Sequence, residues 1–145
     1  MDTFTRLTRT VAEALASQRI GLPVSVRAHF HLTADHGLLL PILEAALAAA
    51  EKWFASSATR AYALGGARHG EITALVEYTA GQTALVSVAV LRDPLPRTDI
   101  LLLGNRGTLR FQESVTLGAD GASHPKLRAA LERSLTTQAP AEVER

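Results

Sequence analysis

The sequence predicts an α+β domain: an open, mostly antiparallel β-sheet with helices packed on one face. Three observations predict it. Residues Glu71–Phe111 hold two alternating strand patterns joined by a glycine turn, a third apolar run, and a second turn at Gly104-Asn105-Arg106-Gly107. Helical periodicity is confined to stretches outside that region. Strands that follow one another through short turns, with helices set apart, characterise the α+β class. The 145 residues fit one domain, 1–145, long enough to bury about two-thirds of its unfolded surface.

The first element is a helix over Thr5–Gln18, within a leading helical stretch of residues 1–20. Leu7, Val11, Ala14 and Leu15 make an apolar stripe, while Arg6, Arg9, Glu13 and Arg19 lie elsewhere. Gly21 and Pro23 stop it, glycine by allowing a left-handed terminal residue and proline by being unable to continue the helix. Val24–Leu32 then alternates as a strand. Val24, Val26, Ala28, Phe30 and Leu32 point to the core; Ser25, Arg27, His29 and His31 point away.

A loop over Thr33–Gly37 leads to a long helix, Leu38–Ala55. Pro41 suits its first turn. Leu39, Ile42, Leu43, Ala46, Leu47, Ala50, Trp53 and Phe54 make a wide apolar stripe, leaving Glu44, Glu51 and Lys52 for the solvated side. Thr59–Leu64 is a short strand, and the glycines around His69 connect it to the next. Glu71–Thr79 and Gln82–Leu91 form a hairpin through Ala80-Gly81, where glycine supplies positive φ. The second of these strands is apolar on both faces, so it is expected to be covered on both, the second cover coming from another subunit. Arg92–Arg97 is a proline-stiffened loop. Asp99–Leu103 and Thr108–Phe111 are strands about the turn at 104–107, and Ser114–Leu117 adds a further short strand. After a loop at Ala119–Ala122, Ser123 N-caps a final helix over Pro125–Thr136, with Leu127, Leu131 and Leu135 as its stripe. Residues 139–145 are expected to fray.

Composition narrows the function classes. The chain is 47% hydrophobic and 20% charged, with a formal net charge of +1, so nothing global points to nucleic acid or an anionic membrane. The absence of cysteine removes disulfides, thiolate zinc sites and cysteine nucleophiles, and is compatible with a reducing cytosol. The start, MDTFTRLTRT, lacks the apolar core of a secretory signal. The longest apolar run, Leu38–Ala50, is interrupted by Pro41 and Glu44 and falls short of the roughly 20 residues that span a bilayer. A soluble cytoplasmic protein is the expectation.

Four stretches carry a family resemblance. RLTRTVAEALASQRIGLPVSVRAHF, the helix ending in Lys52-Trp53-Phe54, ITALVEYTAGQTALVSVAV and ILLLGNRGTLRF occur in the order and spacing of one domain. They resemble the C-terminal domain of the glucose-fructose oxidoreductase / inositol dehydrogenase / MocA (Gfo/Idh/MocA) family, and together they cover most of the chain. The resemblance implies an open sheet whose uncovered face serves subunit contact and lies near the substrate site. It also implies two departures. Members pair this domain with an N-terminal Rossmann domain carrying the dinucleotide loop and a catalytic lysine. This chain begins where that domain would be ending, and no G-x-G-x-x-G follows a strand and opens a helix. No cofactor is therefore expected. The family's long helix carries an aspartate and, four residues later, a histidine that handles the substrate's hydroxyl proton. Counting back from Trp53 places these at Ile42 and Ala46, which cannot transfer a proton. No histidine lies between Gly37 and Gly66, so a slipped register does not restore the pair. No catalytic residue carries over.

One cluster of chemistry-bearing residues remains: Arg27, His29, His31 and, in the following loop, Asp35 and His36. Residues i and i+2 of a strand share a face, about 6–7 Å apart. Three readings stay open: a polar face turned to solvent or a subunit, a site for an anion, sugar or polyol, and a metal site on His29, His31 and His36. Arg27 weighs against the metal, since a fixed cation raises the cost of another. The glycines at 65–70 precede a strand, not a helix, so no helix N-terminus supports a phosphate there. Ser56, Ser57 and Ser87 lack a nucleophile's context. Glu71 and Glu77 stand too far apart for a carboxylate pair.

Leu85, Ser87, Ala89 and Leu91 would leave an apolar strip in water, which predicts a homodimer or larger even assembly through the sheet. Three functions are compatible with these readings. One is a non-catalytic, stand-alone relative of the oxidoreductase domain, acting as an oligomerising scaffold or a partner or regulatory subunit. Another is a small-molecule binding module. The third is the substrate half of a split NAD(P)-dependent oxidoreductase with a separate Rossmann-fold subunit, against which the loss of the Asp/His pair counts.

Overall fold

A computed structural model describes residues 3–33, 36–91, 96–114 and 123–144, with the side chains of Thr3, Phe4 and His36 outside that description. Its elements run α1 (Thr3–Ala16), β1 (Pro23–Leu32), α2 (Leu39–Phe54), β2 (Ala58–Gly66), β3 (Glu71–Tyr78), β4 (Thr83–Val90), β5 (Arg97–Gly104), β6 (Thr108–Glu113), α3 (Pro125–Thr137) and β7 (Ala141–Glu142). Single 3-10 turns lie at His36–Leu38 and Ala67–His69. The strands form one sheet in the order β6-β5-β1-β4-β3-β2-β7. Only β1 and β4 run parallel among these pairs; the rest are antiparallel. The expected α+β class is the class observed.

The parallel pair follows from connectivity. From β1 the chain crosses through α2 to β2, and the meander β2–β3–β4 brings it back beside β1. Two antiparallel steps leave β4 pointing the same way as β2 and β1. β5 then folds onto the other edge of β1, so β1 and β4 form the sheet's centre.

The helices cover one face. α2 packs on β4, β3 and β1; α3 packs on β2 and β7; α1 packs on β6 and α2. Phe30, Ile42, Leu43, Leu47, Leu102, Leu127 and Leu131 are fully buried between the layers, each worth ~1.5–3 kcal/mol relative to exposure. The small side chains of Ala45, Ala46, Ala48, Ala49 and Ala50 are buried too, so α2 is enclosed nearly all round. Trp53 and Phe54 are core, as expected. Phe54 meets Tyr78 edge to face at 4.9 Å, and the Tyr78 hydroxyl donates to the Leu47 carbonyl at 3.1 Å. Burial, helped by the Glu51 carboxylate, pushes the Tyr78 phenol well above its ordinary pKa.

Several expectations are corrected. Glu44, assigned to the solvated side, is 5% exposed. Its carboxylate accepts from the His124 backbone N–H at 2.7 Å and from Arg128 at 3.3 Å. Glu51 is half-buried, accepting from the Ala58 N–H at 2.9 Å and facing His124 Nε2 at 3.0 Å. A buried carboxylate needs such donors, and α3 supplies them from far along the chain. Ser123 is not the α3 cap. His124 is: its Nδ1 accepts from the Leu127 N–H at 3.2 Å, directly across the first turn begun by Pro125. The C-terminal segment expected to fray holds a short strand. Ala141 and Glu142 pair with Ala61 and Arg60, the Val143 N–H donates to the Thr59 carbonyl at 2.9 Å, and the Val143 side chain is buried.

α1 ends at Ala16, earlier than expected, and Gln18, left-handed at φ 56°, closes it; Gly21 is left-handed too, at φ 73°, further along the connection to β1. The Arg19 N–H reaches the Ala14 carbonyl and the Gln18 N–H that of Leu15, closing the end as a Schellman turn. Val24 is exposed, because the β1–β5 register shifts between Pro23 and Ser25. Pairing also carries β2 through Gly66 and β6 through Glu113, beyond their periodic cores. Ser114 is a bend, and the strand expected at 114–117 otherwise lies outside the described residues, as does the loop at 119–122.

The hairpin turn at 104–107 docks on the segment between α1 and β1. Arg106 and Asn105 donate backbone N–H groups to the carbonyls of Ile20 and Leu22, and the Asn105 side chain accepts from the Leu22 N–H at 2.9 Å. The approach is close enough that a Cβ on Gly104 would lie 2.0 Å from the Ile20 carbonyl oxygen.

Candidate functional site

The face of the sheet opposite the helices is uncovered among the described residues, and the sequence-predicted site residues lie on it. Period-two alternation places Arg27, His29 and His31 there from β1, and Leu85, Ser87 and Ala89 from β4. Strand register sorts the face into rows. One row reads Arg110, Leu101, Arg27, Leu85, Leu75, Tyr62 from β6 to β2. The next reads Gln112, Asp99, His29, Ser87, Thr73, Leu64, and the one beyond it Arg97, His31, Ala89, Glu71, Gly66.

Arg27 and His29 are exposed, and His31 is half-buried. The structure thus brings these three together. His36 begins the 3-10 turn beyond β1, with its side chain outside the described residues, as is Asp35. Among the described residues no group of three or more His, Cys, Asp or Glu side chains is arranged to hold a metal ion. Leu91, just past β4, is 41% exposed, and Leu85 39%; Leu64 and Leu75 add further exposed apolar surface on β2 and β3. Thr73 and Ser87 join hydroxyls across β3 and β4 at 2.9 Å.

Asp99 was missed as a site residue. It sits beside His29 in register, with Arg110 Nη2 at 3.1 Å, Gln112 also bonded to it and Arg97 at 4.0 Å. Partial burial pushes its carboxyl pKa up. The hydrogen bonds from Arg110 and Gln112 and the charges of Arg110 and Arg97 outweigh that and hold it below its ordinary value. Alternation through Arg97, Asp99, Leu101 and Leu103 could have placed it on this face.

A concavity of about 710 Å³ lies on the helix side, lined by Glu51, Ser57, Thr59, Thr79, His124 and Lys126 among others. Its imidazole is already committed. With Nδ1 accepting from Leu127, the ring proton is on Nε2 and is donated to Glu51. Neither nitrogen is left to act as a base, so the Glu51–His124 pair joins α2 to α3. The positions that the family resemblance assigns to proton transfer, Ile42 and Ala46, are 0% and 6% exposed within the core.

No family model matches the sequence, and neither does any curated protein sequence. Solved structures do match in fold. Scyllo-inositol dehydrogenase from Lactobacillus casei, solved with NAD(H) and scyllo-inositol, superposes with a TM-score of 0.73 at 13% identity, over 94% of this chain and 61% of that one. The chain has the C-terminal-domain fold of the Gfo/Idh/MocA oxidoreductases. Myo-inositol 2-dehydrogenase from Lactobacillus plantarum is similar at a TM-score of 0.72 and 11% identity, over 94% and 61%. The WlbA dehydrogenase from Bordetella pertussis, in complex with NADH and UDP-GlcNAcA, gives 0.66 and 14%, over 94% and 60%. This chain therefore spans about 60% of the length of these structures, and at such identity the likeness is one of fold. No described helix is long and apolar enough to cross a membrane.

Proposed function

We propose that this oxidoreductase-type domain acts in the cytoplasm as a non-catalytic oligomerising scaffold or partner subunit, joined to a second copy through the open face of its sheet. The observation that carries this reading is the apolar run Leu85, Leu75 and Tyr62 on the neighbouring strands β4, β3 and β2, with Leu101 on β5 beyond Arg27. With Leu64 and Leu91 added, four leucines, Leu64, Leu75, Leu85 and Leu91, are 39–46% exposed on this surface. Contiguous apolar surface of that kind marks an interface. The packing of Ile42 and Ala46 into the core supports the non-catalytic half of the reading, because neither position carries or presents a proton-transfer group.

Light scattering with sedimentation equilibrium at micromolar concentration tests it. The expected result is a dimer or larger even assembly that Leu85→Arg dissociates. A monodisperse monomer overturns the reading.

A further inference from the structure

The amides at the start of α3 are accounted for one by one, and a histidine ring completes the set. The first N–H groups of a helix have no helical carbonyl to reach. That of His124 donates to Glu44 at 2.7 Å, Pro125 has none, and that of Leu127 donates to His124 Nδ1 at 3.2 Å. The Arg128 N–H then makes the first helical bond, to the His124 carbonyl at 2.9 Å. The same ring donates from Nε2 to Glu51 on α2 at 3.0 Å. His124 is half-buried and lines the concavity on the helix side, so solvent protons reach it in the folded chain. Serine, threonine and asparagine caps accept through an oxygen that does not titrate. An imidazole differs, because once protonated it carries a hydrogen on both nitrogens and has no acceptor left.

We infer that His124 is a proton-operated cap: the first turn of α3 is closed while the ring is neutral and opens when the ring takes up a proton. One proton moves. It enters at Nδ1, the lone pair there is lost to the Leu127 N–H, and Nε2 keeps its hydrogen toward Glu51. The charged groups around the ring set two effects against each other. Glu51 faces it from α2, and Glu44 holds its backbone N–H; Glu142 on β7 and Glu144 just beyond line the same concavity. These carboxylates favour the cation. On α3, Lys126 lines the concavity and Arg128 follows one turn on, its guanidinium turned to Glu44 and Glu132. These two cations and the closing bond to Leu127 oppose it. The contact to Glu51 survives in either state and becomes charge-assisted on protonation. The opening is therefore local: α3 stays joined to α2, and the turn 124–127, which borders the concavity, loses its closing bond.

Two-dimensional ¹H–¹⁵N NMR of the full chain tests this, with pH lowered through the range in which histidines titrate, about 8 to 5. The Leu127 amide should shift with the same midpoint as the His124 ring protons. Its protection against exchange, corrected for the intrinsic pH dependence of the rate, should fall by about fivefold or more in the protonated state. His124→Asn supplies an acceptor that does not titrate, so its Leu127 amide should stay protected throughout. Core amides such as that of Val88 should stay protected in both proteins. A Leu127 amide that ignores the titration of the ring overturns the inference, as does a ring that stays neutral to pH 5. The same response in His124→Asn overturns it by assigning the change to another group. Loss of Val88 protection together with that of Leu127 overturns it as well, since the event is then global unfolding.

Discussion

Ala55 closes α2 in the left-handed conformation, φ 51°, with its N–H on the Lys52 carbonyl and that of Ser56 on Glu51. A β-carbon is disfavoured there, and glycine is the residue that adopts the conformation freely. Ala55→Gly should therefore stabilise the domain by ~0.5–1 kcal/mol despite the added freedom of the unfolded chain, read as a higher urea midpoint. Asp99 carries a pH dependence whose sign follows from its neighbours. Its folded-state pKa lies below the unfolded value, so its ion pairs stabilise the fold above the ordinary carboxylate range. That contribution fades as pH falls from about 4 through the lower folded-state value. Wild type should be more stable than Asp99→Asn near neutrality, and the gap should close under acid denaturation; a gap that widens would refute the assignment. At this scale the outward histidines were legible, because alternation alone decides where Arg27, His29 and His31 point. The left-handed residues were not. Gln18, Ala55 and Gln138 hold that conformation through closing bonds, with no glycine to announce it.

Ser134 ties three elements together. Its buried hydroxyl accepts from the Ala63 N–H of β2 at 2.8 Å and donates to the Ala139 carbonyl, at the start of the tail, at 2.7 Å. Ser134→Ala should cost ~1–3 kcal/mol by leaving a buried backbone donor unpaired, measured by chemical denaturation. The same change should loosen β7, seen as faster amide exchange at Val143. Helices and strands were legible as elements because Leu7, Val11 and Ala14, or Val86 and Val88, repeat at the period of the structure they form. The caps were not. His124, Glu44 and Glu51 meet only through the packing of α3 on α2, about 80 residues apart in sequence, and no local pattern encodes that meeting. The two-residue β7 is too short for any periodicity to mark it.

Across the whole molecule, the class of the fold and the existence of an open face were legible in the run from Glu71 to Phe111. The strand order was not, since alternation reports which face a strand buries and is silent on its neighbours. The parallel seating of β4 beside β1 is the main consequence of that order. The same placement of β1 bears on how the protein is made. β1 is translated early, yet both strands that flank it begin only at Thr83 and Arg97. Until then a strand of ten residues has neither neighbour to bond. A nascent chain halted before Gly104 would hold β1 with its β5 edge incomplete and the 20–22 segment without its docked turn. Such a fragment should remain protease-sensitive, and folding should wait for the hairpin at 104–107 to leave the ribosome, as pairings distant in sequence make folding slow.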